Sequence, residues 1–372
     1  MSDRPLHPVR RVHLEELGGP LGIWQHASRT VPDRSFGYCT DDVARALTVD
    51  LLHAHELGWE AVAPDARRSL AFLRAAFDPA TASFRNFRSA DGAWLDAVSS
   101  EDSQGRALLA LGSAVRDGPE AAVRREAGSL FEAALPMARR LTSPRAVSSA
   151  ILGCDAALDA GLPGDSLRTL VGLAGRLGRA FGGLDLDGGW PWPESVLTYE
   201  NALLPHALIV AGHRLADPDL RRMGLRVLDW LIRVQTSPDS SFSPVGNDGW
   251  WPRDGARSRF DQQPIEPAAM ILAASAALRE THDEPYRRAA EAAYAWFLGG
   301  NDAGIPVADA STGGCHDGLS PRGVNLNQGA ESTLMWLTAL ETMRSIRSRA
   351  AAVAAAAARP RPTRRRLVSV RA

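Results

Sequence analysis

Two kinds of helical segment alternate along this chain. One kind is apolar and almost uncharged, as in residues 201–212 (NALLPHALIVAG), 265–278 (IEPAAMILAASAAL) and 329–340 (GAESTLMWLTAL). The other is amphipathic and studded with arginine, as in residues 64–77, 120–140, 217–233 and 284–297. A helix that is apolar all round is buried all round, whereas an amphipathic one covers a core and faces water. The alternation therefore predicts an inner ring of helices wrapped by an outer ring. Inner helices are predicted to begin near Asp42, Asp102, Pro144, Glu200, Glu266 and Glu331, in steps of 60, 42, 56, 66 and 65 residues. Such a period is too long for a tetratricopeptide or HEAT repeat. It suits a helical hairpin plus one long loop, and six starts predict six hairpins closing into a ring. The sixth outer helix is the gap in the pattern. It must be short and follow Glu341, or be supplied by the N-terminal segment at residues 14–27.

Links from inner to outer helices read as short (58–63, 216–218, 282–284). Most links back to the next inner helix read as long (78–100, 182–198, 236–262, 299–326). Long loops in a compact domain usually carry function, and this topology puts them all on the face where the inner helices begin. Residues 1–30 are predicted to pack on the ring and residues 31–347 to form it. Residues 348–372 read as a low-complexity Ala/Arg/Pro tail. Pro360 and Pro362 stop any helix there, and the rest is expected to be disordered.

With 45% hydrophobic residues in 372, a large core is available. The net charge of −1 provides no basic field for nucleic acid. No apolar run reaches the roughly 18 residues of a membrane span, and the N-terminus lacks the apolar stretch of a signal peptide. Cys39, Cys154 and Cys315 are far apart with no CxxC pair, which fits a reducing cytoplasm better than a disulfide framework. All 42 basic residues are arginine, which excludes a Walker lysine, a Schiff-base lysine and a lysine general base. No cofactor or metal is expected.

Every inner-helix start holds a polar cluster: Thr40-Asp41-Asp42, Glu101-Asp102-Ser103-Gln104, Ser143-Pro144, Thr198-Tyr199-Glu200-Asn201, Asp261-Gln262-Gln263 with Glu266, and Asn327 with Glu331. N-capping and the helix dipole explain part of this pattern. They do not explain paired acids opening two central helices, where each surplus acid must be desolvated at a cost of several kcal/mol if unpaired. The long loops add Trp94, Trp190, Trp192, Trp250 and Trp251. Either these indoles pack as satellite clusters, or they form stacking platforms for sugar rings beside polar groups that bind hydroxyls. Paired carboxylates in a cleft are the apparatus of glycoside hydrolysis. Asp102 is the first choice for the acid, with Asp42 as base or sugar-binding partner. Glu200 and Glu194 come next, then Glu266 and Asp261. Tyr38, Asp41, Glu101, Gln104, Tyr199, Asn201, Gln262, Gln263, Asn327, Glu331 and the five loop tryptophans are the expected substrate contacts. His206 and His213 read as core histidines, His53 and His55 lie away from the mouth, and Asp41-Asp42 does not continue into a DDxxD metal motif.

The segments GYCTDDVARAL (37–47), EDSQGRALLALG (101–112), WPWPESVLTYENALLPHALI (190–209), FDQQPIEPAAM (260–270) and NLNQGAESTLMWL (325–337) resemble the six-hairpin, (α/α)6-toroid glycosidase-like superfamily. More narrowly, they are similar to bacterial proteins associated with group 1 glycosyltransferases. The resemblance spans residues 30–345 and implies an all-α toroid with an acidic pair at its mouth, a placement that Asp41, Asp42, Asp102 and Glu200 match. It leaves the reaction open among hydrolysis, lysis, phosphorolysis and epimerisation. An epimerase of this fold is expected to carry paired histidines in its cavity, and none stands at an inner-helix start here. The leading expectation is a glycosidase acting on an oligo- or polysaccharide. The alternative is a non-catalytic glycan-binding toroid partnering a glycosyltransferase.

Overall fold

The computed structural model describes residues 6–96, 99–162 and 164–357. Six inner helices follow one another: α2 (Thr40–Leu57), α4 (Glu101–Asp117), α6 (Pro144–Asp159), α8 (Leu203–Arg214), α10 (Ile265–Thr281) and α12 (Ala330–Ala357). Each packs on the next, and α12 packs on α2, so the ring closes. Between them run the outer helices α3 (Trp59–Ala76), α5 (Ala121–Ala138), α7 (Asp165–Phe181), α9 (Pro218–Val234) and α11 (Glu284–Phe297). The burial matches the two sequence patterns. On α10 every residue from Ile265 to Ala277 except Leu272 is buried, while α9 buries only a stripe of five residues.

The inner-to-outer links are short, from one to five residues. Gly58 alone joins α2 to α3, at φ 83°, where a residue without Cβ is favoured. The long links all lie at the other end. They are tied together by two-stranded pairs, Tyr38–Cys39 with Phe87–Arg88 and Val196–Leu197 with Trp251–Pro252.

The gap in the outer ring is filled from the N-terminus. α12 is one unbroken helix, its alanine-rich end included, and α1 (Val12–Glu16) packs against it. The buried His13 ring bonds the Gln328 carbonyl at 2.8 Å. Arg11 reaches Asp50 and Asp65, each at 2.8 Å, and Arg344 donates to the His7 carbonyl at 3.0 Å. The tail expected to be disordered lies, from residue 358 onward, outside the described residues.

α4 and α6 approach backbone to backbone along a seam of glycines. A methyl on Gly153 would stand 2.5 Å from the Leu108 carbonyl oxygen, and one on Gly105 2.6 Å from that of Ala146. A methyl on Gly112 would meet the Gly153 carbonyl closer still. Backbone cannot step aside as a flexible side chain can. Gly112→Ala is therefore expected to destabilise by about 1–3 kcal/mol, read as a lower urea midpoint. An unchanged midpoint would mean that the two helices are not held this close.

Candidate functional site

The six inner-helix N-termini meet at the loop face, and their polar residues form one connected network. Capping accounts for little of it. Ser100 accepts from the Ser103 amide at 3.3 Å, but α2 is capped by the Cys39 sulfur, and neither Ser143 nor Thr198 caps a helix. The acids are held by three buried arginines, one from each of the first three inner helices. Arg45 contacts Asp42 at 3.1 Å, Asp41 at 3.1 Å and Glu331 at 2.7 Å. Arg106 forks onto both oxygens of Glu200, one at 3.1 Å, and also reaches Asp41. Arg145 binds Glu194 at 3.0 Å, the Thr198 hydroxyl at 2.7 Å and the Tyr199 carbonyl at 2.6 Å, and its guanidinium lies 4.5 Å from the centre of the Tyr199 ring.

Glu200 is not on α8, as its spacing had suggested. It sits three residues earlier with a left-handed φ of 48°, and its backbone amide donates to Glu266. Asn201 joins the same carboxylate at 3.1 Å. Burial pushes the Glu266 carboxyl up to about 7, with only these two bonds and a more distant Arg145 opposing it. Burial likewise raises Asp42 to about 7, against the pull of Arg45. Glu266 holds a proton in the folded chain at pH values where the unfolded chain has released it. Through this group the folded state is favoured below about pH 4.5, and the advantage is lost as pH rises to about 7. Glu266→Gln should thus show less gain in denaturant midpoint than the parent chain on going from pH 8 to pH 5. Equal pH slopes for the two proteins would refute the raised carboxyl.

The network has two layers. Asp42, Glu200, Glu266, Asn201 and the three arginines are buried. Above them Asp41, Asp102 and Glu331 remain within reach of solvent, the Asp41 side chain at 25% exposure and Glu331 at 42%. Among the described residues Asp102 pairs with no arginine; it accepts hydrogen bonds from Tyr199 Oη and from Ser143 Oγ at 3.2 Å. Burial, and then the neighbouring Asp102, raise the Tyr199 phenol, so it stays a donor. Asp42 faces inward and bonds the Cys39 thiol at 3.1 Å, so Asp41 is the member of that pair at the mouth.

Several expected contacts have structural work instead. Tyr38 is buried and stacks on Trp24. Gln104 is buried against the Phe84 backbone. Gln262 is buried between Trp296 Nε1 at 2.7 Å and Asp302 at 2.6 Å. Trp190, Trp192 and Trp251 pack around Trp230 of α9, the satellite cluster rather than the platform. Glu101 caps α6, accepting from the Thr142 and Ser143 amides at 2.7 and 2.6 Å. Asn327 accepts from the Arg29 amide at 2.9 Å. Asp261 follows a cis peptide and Gln263 lies half-buried just before α10. The half-buried Trp250 stands beside Tyr199, with ring centres 6.3 Å apart. Trp94 lies under Arg88 and lines a cavity of about 740 Å³ beside the start of α4.

Of the inner-ring histidines, His206 stands half-buried in the first turn of α8 and is pushed down to about 3 by burial, while the buried His53 bonds Arg11. His213 is not a core residue: it is exposed at the far end of α8, where it lines a cavity open to solvent and pairs with Glu280 at 2.9 Å. Among the described residues no three His, Cys, Asp or Glu side chains are grouped to hold a metal, and no helix is long and apolar enough to cross a membrane.

Solved structures share this architecture. A sugar epimerase from a ruminal bacterium aligns with a TM-score of 0.68 at 12% identity, covering 89% of this chain and 94% of its own. Cellobiose 2-epimerase from Bacillus thermoamylovorans B4167 aligns at 0.70 and 11%, covering 92% and 96%. A GH76 α-mannanase from Bacteroides thetaiotaomicron aligns at 0.60 and 8%, covering 91% and 94%. The fold is an (α/α)6 toroid. No protein-family model and no curated protein matches the sequence.

Proposed function

We propose that this toroid hydrolyses a glycosidic bond in an oligo- or polysaccharide bound across its acidic mouth. The observation that carries the reading is the set of solvent-reaching carboxylates Asp41, Asp102 and Glu331, from three inner helices, with Asp41 and Glu331 held by buried arginines and Asp102 by Tyr199 and Ser143. Asp102 gives its proton to the departing glycosidic oxygen. Asp41, held in place by Arg45 and Arg106, takes a proton from the water whose oxygen attacks the anomeric carbon. Trp250 offers a ring face to the sugars. Epimerisation is disfavoured because His206 is the one histidine in the first turn of a described inner helix, where an epimerase of this fold is expected to carry a pair. The similar solved structures, sugar epimerases and an α-mannanase, act on carbohydrates, which supports the substrate class.

A second reading is a glycan-binding toroid without turnover that partners a glycosyltransferase. It draws support from the arginine pairing that engages Asp41 and Glu331. A panel of bacterial oligo- and polysaccharides, assayed for release of reducing ends and for binding, tests both. Cleavage of any member supports hydrolysis, binding without cleavage favours the second reading, and neither would remove both.

A further inference from the structure

The end of the ring opposite the mouth holds a second cavity of about 770 Å³, lined from all six inner helices. Its size suits a small-molecule site. Most charges on its wall are matched. Arg214 bridges Asp155 at 2.6 Å and Asp159, and Arg116 forks onto its neighbour Asp117 at 2.8 Å. Arg344 meets Glu341 at 3.2 Å and Glu56 at 3.6 Å, and Glu280 receives His213 and Arg221.

Two cations are unmatched. Arg279 has only the Ser275 hydroxyl, at 2.9 Å, and Arg349 has no ion pair or hydrogen bond among the described residues. Burial first, then the like charges of Arg349 and Arg116, lower the Arg279 pKa. In Arg45 and Arg106 the surrounding carboxylates do the opposite. A helix C-terminus attracts a cation, which accounts for Arg279 in the last turn of α10. It does not account for Arg349, which lies two turns short of the end of α12, nor for two exposed arginines repelling one another across the open cavity. An anion between them removes that repulsion.

We propose that this cavity binds a phosphate monoester of a sugar or similar polyol, with Arg279 and Arg349 clamping the phosphate. Guanidinium forks match phosphate oxygens in geometry and charge. Ser345, Ser348 and the carboxylates on the wall are donors and acceptors for hydroxyl groups. The site stands a full helix length from the mouth and is independent of the reaction proposed there.

Calorimetric titration of the full chain with glucose 6-phosphate, inorganic phosphate and glucose tests the proposal. One glucose 6-phosphate per chain is expected, bound more tightly than inorganic phosphate. Arg279→Gln and Arg349→Gln are each expected to weaken it about tenfold or more, while Asp102→Asn leaves it unchanged. Should one arginine variant fail to fold, the other carries the test. The proposal is overturned by absence of binding, by inorganic phosphate or glucose binding as tightly as the ester, by full affinity in a folded arginine variant, or by loss of affinity in Asp102→Asn.

Discussion

Asp102→Asn is expected to lower kcat/KM for glycan cleavage by about 10²–10⁴-fold, the range for removal of a positioned proton-transfer group. The amide keeps the shape of the side chain and can still accept from Tyr199 or Ser143, so the fold should survive and the thermal midpoint should barely move. It cannot deliver a proton to the departing oxygen. KM should change little, because Trp250 and the arginine-braced acids remain. The loss should shrink for a substrate whose leaving group needs no protonation, such as a dinitrophenyl glycoside. That contrast separates an acid from a binding residue. Full activity in the variant, or an equal loss on both substrates, would remove Asp102 from the acid role.

Arg106→Met is expected to be the most destabilising single change in the network, by about 3–5 kcal/mol. The Arg106 guanidinium is buried, and Asp41 and Glu200 are its partners. Methionine fills much of the space but takes from the buried Glu200 carboxylate the guanidinium that forks onto both its oxygens. The expected readout is a large fall in urea midpoint. A second change, Glu200→Gln, should restore part of it by removing the stranded charge. If the single variant unfolds at the parent's midpoint, or the double variant is less stable than the single one, these ion pairs do not hold the mouth together.

The ring itself was legible because burial on all sides and burial on one side leave different hydrophobic patterns. Residues 265–278 and 217–233 announce their layers before any coordinate is known. The N-terminal contribution to the outer ring was legible only as one of two alternatives, since α1 has just five residues and no periodicity to read. At the site, the carboxylates were visible and the arginines were overlooked. Asp41 and Arg45 are four apart on one helix, a spacing the sequence shows. Arg45 and Glu331 are 286 residues apart, and Arg106 and Glu200 are 94 apart, so those pairings exist only once the ring has closed. The choice between Asp41 and Asp42 was beyond sequence reading for a related reason. Adjacent helical positions point about 100° apart, and which one faces the mouth depends on how α2 is rotated in the ring. Loop tryptophans were ambiguous from the start: Trp192 and Trp251 flank Trp230, a residue of a different helix.

The contact between His13 and the Gln328 carbonyl joins positions 315 residues apart. During synthesis, α1 can dock on α2 and α3 through Arg11, but its contact with α12 must wait until that helix has left the ribosome, so five hairpins stand with their circle open and the α12-facing flank of α2 uncovered. Ring closure is then a late event governed by the slow search of a long loop. A chaperone that shields this flank would act on the last step of assembly rather than the first.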